Sequence, residues 1–125
     1  MTDRRPLEGK RILVLEDDFY LATDQKQLLE RAGAQVIGPF GQGCDESDID
    51  AGGRIDGAVV DINLGQGPRF GLARRLEQRA IPFLFVTGYN ADVIPEDLSR
   101  VTRLEKPVSE RDLISALIKL VSASG

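Results

Sequence analysis

Asp56-Gly57-Ala58-Val59-Val60-Asp61-Ile62-Asn63 is the stretch on which the fold turns. Small and β-branched apolar residues run without polar alternation and then stop at a carboxylate. The run is too short for a buried helix and too uniform for a strand with one wet face, so it predicts a strand covered on both sides. It delivers Asp61 at its carboxyl end. A similar run upstream, Arg11-Ile12-Leu13-Val14-Leu15, ends on Glu16-Asp17-Asp18. A third, Ile81-Pro82-Phe83-Leu84-Phe85-Val86, ends on Thr87-Gly88-Tyr89, and its proline is tolerable only because it stands near the beginning.

Helical signals separate these runs. Leu21, Leu28, Leu29 and Ala32 fall on one stripe, with Gly33 as a C-terminal stop. Ala34-Gln35-Val36-Ile37 predicts a further strand, closed by Gly38-Pro39. Residues 41–53 are polar and punctuated by glycine, which predicts a short or irregular helix. An extended loop is expected over residues 65–71, and Phe70, Leu72, Ala73 and Leu76 mark the helix after it. A short helical segment around Ala91–Leu98 precedes Val101-Thr102-Arg103-Leu104, the most polar strand. Ser109 caps the last helix, with Asp112 at its third position and Leu113, Ile114, Leu117, Ile118 and Val121 at helical spacing. Strand and helix alternate about five times, which predicts an open doubly wound α/β domain with a parallel sheet. Such sheets bind ligands beyond the carboxyl ends of their strands.

Composition narrows the chemistry. A length of 125 residues fits one domain, read here as residues 10–122 behind a flexible arm over 1–9, with no output domain following. The formal charge of -4 argues against nucleic acid or an anionic membrane as partner. No apolar stretch is long enough for a bilayer span or a secretory signal, so a cytoplasmic location is expected. The chain has no histidine and a single cysteine, Cys44. Histidine-based catalysis, structural zinc and an internal disulfide are thereby excluded, and any metal must be held by oxygen.

The predicted strand ends bring Glu16, Asp17, Asp61, Thr87 and Lys106 to one edge. Taken singly, each has an ordinary structural explanation: a solvated turn, a helix start, a lysine before a proline. Together they have compatible roles. Carboxylates held close raise one another's pKa unless a cation intervenes, and a hard divalent ion such as Mg2+ resolves this. Asp17 and Asp61 are the candidate direct ligands, with Glu16 acting through water and the backbone carbonyl of Asn63 completing the shell. An ionised Asp61 can attack phosphorus and form an acyl phosphate, while Lys106 and the Thr87 hydroxyl offset charge on the phosphoryl oxygens. Nothing here resembles a nucleotide-binding loop, so the donor must carry the phosphoryl group.

These residues, in this order, resemble a response-regulator receiver domain over residues 10–122. The anchors are ILVLEDD with the acidic pair Glu16 and Asp17, VVDIN with Asp61 as phosphoacceptor, FVTG with Thr87 as switch hydroxyl, and EKP with Lys106. The resemblance implies a flavodoxin-like three-layer sandwich with strand order 2-1-3-4-5 and five helices, bound magnesium, and slow self-dephosphorylation. It implies a cis bond before Pro107. It also implies partners: a sensor histidine kinase or histidine phosphotransferase as phosphohistidine donor, and a downstream protein. The chain itself is expected as a monomer or a weak phosphorylation-dependent dimer.

Three departures bear on how the signal leaves the site. Arg103 stands where many receivers have an aromatic residue, the loop Leu64–Gly71 is longer and richer in glycine, and the segment between Thr87 and Lys106 is abbreviated. The string Pro82–Tyr89 is similar to a receiver subfamily named for Phe-Ala-Thr-Gly-Tyr, which makes Thr87, Tyr89 and Arg103 the candidate switch residues. Two other readings use similar parts: an aspartate-nucleophile phosphohydrolase, which expects its nucleophile after the first strand, and a receiver-fold interaction module that is never phosphorylated.

Overall fold

The computed structural model describes residues 5–41, 43–63, 68 and 70–123. Strands β1 (Arg11–Leu15), β2 (Gln35–Phe40), β3 (Gly57–Asp61), β4 (Phe83–Thr87) and β5 (Arg103–Glu105) form one parallel sheet in the order β2-β1-β3-β4-β5. Between them and after them run helices α1 (Phe19–Arg31), α2 (Glu46–Asp50), α3 (Gly71–Gln78) and α4 (Glu110–Ala123). The topology is the flavodoxin-like, doubly wound one. Its strand order reverses between β1 and β3, so the crevice of this sheet opens at the ends of the two strands that carry the acids.

Alternation within the apolar runs builds two cores. Ile12, Val14, Val59, Leu84 and Val86 face Leu29 of α1 and Leu113, Leu117 and Val121 of α4. Leu13, Leu15, Ala58, Val60, Phe83 and Phe85 face Ile49 of α2 and Leu72, Ala73 and Leu76 of α3. Both faces are therefore dry, as the uniform hydrophobicity of the strands requires. Asp112 N–H donates to Ser109 Oγ at 3.0 Å, giving the expected cap to α4.

Three expectations are corrected. Strand β2 does not close at Gly38-Pro39 but continues through it to Phe40. It is an edge strand, where a proline removes no ladder bond that the sheet needs, and the pairing with β1 shifts register between Leu13 and Leu15. The fifth strand begins at Arg103, not Val101, because residues 99–102 complete the preceding turn. In place of a fifth helix, residues 91–98 form two single 3-10 turns, Ala91–Val93 and Glu96–Leu98. Pro95 separates them, since it disfavours a helical Ile94 and donates no N–H.

Part of the segment ahead of β1 touches the core. Residues 1–4 lie outside the described residues, but Leu7 is fully buried with the α1–α4 core and its N–H donates to Ala32 O at 2.8 Å. Burying one leucine contributes about 1.5–3 kcal/mol, enough to dock a short turn. Of the long loop expected over 64–71, residues 64–67 and 69 lie outside the described residues.

Gly38 has φ +99°, and a Cβ there would meet Phe40 N at 2.8 Å and Val14 O at 3.0 Å. Both obstacles are backbone and cannot swing away. Gly38→Ala is expected to destabilise the fold by about 2 kcal/mol or more, read as a lowered urea midpoint. Gly71→Ala, where nothing lies within 4 Å of the added carbon, serves as the control and should shift the midpoint little.

Candidate acidic site at the sheet edge

Strand β1 ends at Leu15, and the next residues turn over the sheet edge. Glu16 points inward with 3% exposure, while Asp17 is exposed. Asp18 caps α1, its Oδ1 accepting from Tyr20 N–H and Leu21 N–H at 2.9 and 3.0 Å. Asp18 N–H in turn donates to Glu16 Oε2 at 3.1 Å, so the helix start fixes the buried acid. From β3, Asp61 arrives with 3% exposure, and its Oδ1 accepts from Asn63 N–H at 3.0 Å. The carboxylates of Glu16, Asp17 and Asp61 each offer an oxygen within 4.8 Å of the others.

One cation stands among them. Lys106 Nζ donates to Asp61 Oδ2 at 3.1 Å and lies 3.3 Å from Glu16 Oε1. The second contact lacks the alignment of a hydrogen bond, so Glu16 Oε1 is buried with no donor. The peptide bond from Lys106 to Pro107 is cis, as expected. Burial disfavours the Lys106 charge, but Asp61 and Glu16 more than offset that, and the ammonium is held above its ordinary pKa range. Glu16 moves the other way in character. Burial, then the Asp61 hydrogen bond and charge, raise its pKa from 4.5 to about 7, against the pull of Asp18 N–H and Lys106.

A divalent ion fits this donor set. The ligands are hard oxygens, the carboxylates outnumber the ammonium, and one buried oxygen lacks a donor. Of the sequence-predicted ligands, Glu16, Asp17 and Asp61 are brought together, and Asn63 N–H bonds Asp61 Oδ1.

Thr87 ends β4, one residue beyond the Asp61–Val86 pair, and is fully buried. Its Oγ1 accepts from Tyr89 N–H at 2.9 Å, and Lys106 N–H donates to Thr87 O at 2.9 Å. Arg103 Nη1 donates to Tyr89 O at 3.4 Å, so the three candidate switch residues are in contact.

Two supports were not foreseen. Gly41, just past β2, is so close that a Cβ would lie 3.1 Å from Asp17 Cα, and Glu16 N–H donates to Phe40 O at 2.9 Å. Asp18 had a readable signal, an acid before a helix. Gly41 had none, because its neighbour is remote in sequence.

The chain has no histidine, and the raised pKa of Glu16 places its titration between pH 5 and 8. Between pH 4.5 and about 7 the fold keeps a proton that the unfolded chain has released. The stabilisation from Glu16 is therefore full below pH 4.5 and lost as pH rises through about 7. Linkage sets its size at up to about 3 kcal/mol. In a chelator-treated sample the urea midpoint should fall from pH 5 to pH 8, and Glu16→Gln should flatten that slope. An equal slope in both proteins would mean that Glu16 is not the group responsible.

No family model matches the chain. The regulatory protein PdtaR of Mycobacterium tuberculosis is 24% identical over 97% of the chain, which spans 61% of that relative's length. Among solved structures, a response regulator receiver protein from Sinorhizobium medicae superposes with a TM-score of 0.79 at 28% identity, covering 95% of this chain and 99% of that one. SdrG from Sphingomonas melonis gives 0.73 at 28% identity, covering 90% and 96%. The HemR receiver domain from Leptospira biflexa gives 0.72 at 24% identity, covering 91% and 95%. With this topology, these neighbours and three acids gathered where its crevice opens, the chain has the receiver-domain fold of response regulators.

Proposed function

We propose that the chain is the phosphoacceptor of a two-component phosphorelay, with Asp61 receiving a phosphoryl group from a phosphohistidine of a sensor kinase or phosphotransfer protein. One observation carries the reading: a nearly buried aspartate, paired with an ammonium at 3.1 Å, shares its pocket with two further carboxylates. That arrangement is poorly suited to stability alone, because crowded buried carboxylates repel. It suits a group that must be nucleophilic and lie beside a cation.

In the reaction, an Asp61 oxygen forms a bond to phosphorus and the donor's phosphorus–nitrogen bond breaks, the imidazole leaving with a proton from solvent. Asn63 N–H holds one Asp61 oxygen, which limits the carboxylate's rotation. Lys106 is placed to pair with a phosphoryl oxygen, and the Thr87 hydroxyl keeps its hydrogen to donate to another. Magnesium, held by Asp17, Asp61 and the Asn63 carbonyl with Glu16 through water, would supply positive charge for the phosphoryl oxygens. Hydrolysis of the acyl phosphate restores the carboxylate and releases inorganic phosphate.

Output in this reading is binding to a downstream protein or onward phosphotransfer, from a receiver unit over residues 10–122. The Pro82–Tyr89 string supports placement in the Phe-Ala-Thr-Gly-Tyr subfamily, with Val86 as a mild departure. Among the described residues no helix is long and apolar enough to cross a membrane.

Asp61→Asn should abolish acid-labile phosphoryl incorporation from acetyl phosphate and Mg2+ while leaving the circular dichroism spectrum unchanged. Labelling at the wild-type level would refute the assignment. Lys106→Ala should retain much of the label but lose the amide shifts that a phosphoryl mimic produces over residues 87–104. Full shifts in that variant would remove Lys106 from the conformational response.

A further inference from the structure

Arg103, like Arg11, places its guanidinium on a main-chain carbonyl. Arg54, Arg74, Arg75 and Arg79 all lie within 4 Å of an aspartate oxygen. Arg103 is half-buried and has no such acid among the described residues; its hydrogen bond is to a main-chain carbonyl, Tyr89 O. The sheet register accounts for the meeting. Arg103 pairs with Phe85 in adjacent parallel strands, and Thr87 lies two residues past Phe85, so Arg103 and Thr87 share a face of the sheet.

Residue 89 is thereby held on both sides. Its N–H donates to Thr87 Oγ1 at 2.9 Å, and its carbonyl accepts from Arg103 Nη1 at 3.4 Å. Gly88, the link between Thr87 and Tyr89, is exposed, and a Cβ there would find nothing within 4 Å, whereas Tyr89 is half-buried and packs against the α2–α3 core, so the two hydrogen bonds fix the peptide groups of a residue whose ring is already seated. A hydroxyl has one hydrogen and two lone pairs. When a fixed N–H occupies a lone pair, the oxygen is held in place and its hydrogen is left for another acceptor.

We propose that Arg103 is a positioning residue for Thr87: by anchoring the Tyr89 carbonyl it keeps the Tyr89 N–H on the Thr87 oxygen, which aims the hydroxyl hydrogen at the incoming phosphoryl group. The chain of contact runs from guanidinium to residue 89 to hydroxyl. This rests on the phosphoacceptor reading above and assigns Arg103 no contact with the phosphoryl group itself.

A double-mutant cycle tests it, using phosphorylation rates with acetyl phosphate and Mg2+. Thr87→Val should slow labelling by about tenfold or more through loss of one donor. Arg103→Ala should slow the wild type by about threefold and the Thr87→Val protein hardly at all, because the effect passes through the hydroxyl. Arg103→Lys, which keeps a donor, should label within about twofold of wild type, a difference too small to count as a broken contact. The proposal is overturned by equal slowing in both backgrounds, by no slowing in either, or by a lysine variant as slow as the alanine one. If the wild type takes no label at all, the phosphoacceptor reading itself fails and this inference falls with it.

Discussion

Three carboxylates meet one ammonium at the mouth of a parallel sheet, and the rest of the structure answers to that imbalance. Glu16 and Asp61 are almost wholly withdrawn from water, where ionised groups are expensive unless compensated. Lys106 compensates part of the charge, while burial first and Asp61 second raise the pKa of Glu16 to about 7. The pocket holds its negative charge in check by retaining a proton when it has no further cation. A divalent ion held by this donor set would compete with that proton, which would tie occupancy of the site to fold stability.

The sheet makes this crowding tolerable by distributing its supports. The acid pair hangs from β1 but is braced by Phe40 O and Gly41 at the end of the neighbouring edge strand and by the capped start of α1. Asp61 and Lys106 arrive from β3 and from beyond β5, two strands apart in the sheet order. Repulsion between the acids therefore works against several hydrogen-bonded elements at once and not against a single loop. A pocket assembled this way can stay preorganised while carrying charge that would spread a more flexible one.

Legibility in the sequence followed the range of the interactions involved. Strands β1, β3 and β4 were readable because burial on both faces leaves contiguous apolar runs, and Glu16, Asp17, Asp61 and Thr87 were readable because they stand directly at the ends of those runs. Lys106 followed in the same way once β5 was placed. What escaped depended on remote partners. Leu7 is a lone apolar residue between Pro6 and Glu8, and nothing local announces the core that receives it. Gly38-Pro39 looks like a stop unless the strand is known to be an edge. The segment around Ala91–Leu98 reads as one short helix, and Pro95 inside it leaves two 3-10 turns instead. Gly41 is informative only when Asp17 is seen beside it.

The same distinction bears on how a change at Asp61 could be felt elsewhere. An aromatic residue at position 103 would act by volume, occupying or vacating a space beside the threonine. Arginine acts by direction: its guanidinium carries five donors in a rigid plane and binds a carbonyl only along limited approaches. A packing switch responds to whether a cavity is open, whereas a hydrogen-bond latch responds to where a single oxygen sits. In this fold the oxygen belongs to Tyr89, whose N–H already touches the Thr87 hydroxyl. Movement of that hydroxyl toward a phosphoryl group would pull on Tyr89 and so on Arg103 in β5, with the two short 3-10 turns between them left to accommodate the strain. Two single turns in place of a continuous helix lower the number of backbone bonds that must break, so a small displacement at the threonine has less structure to work against.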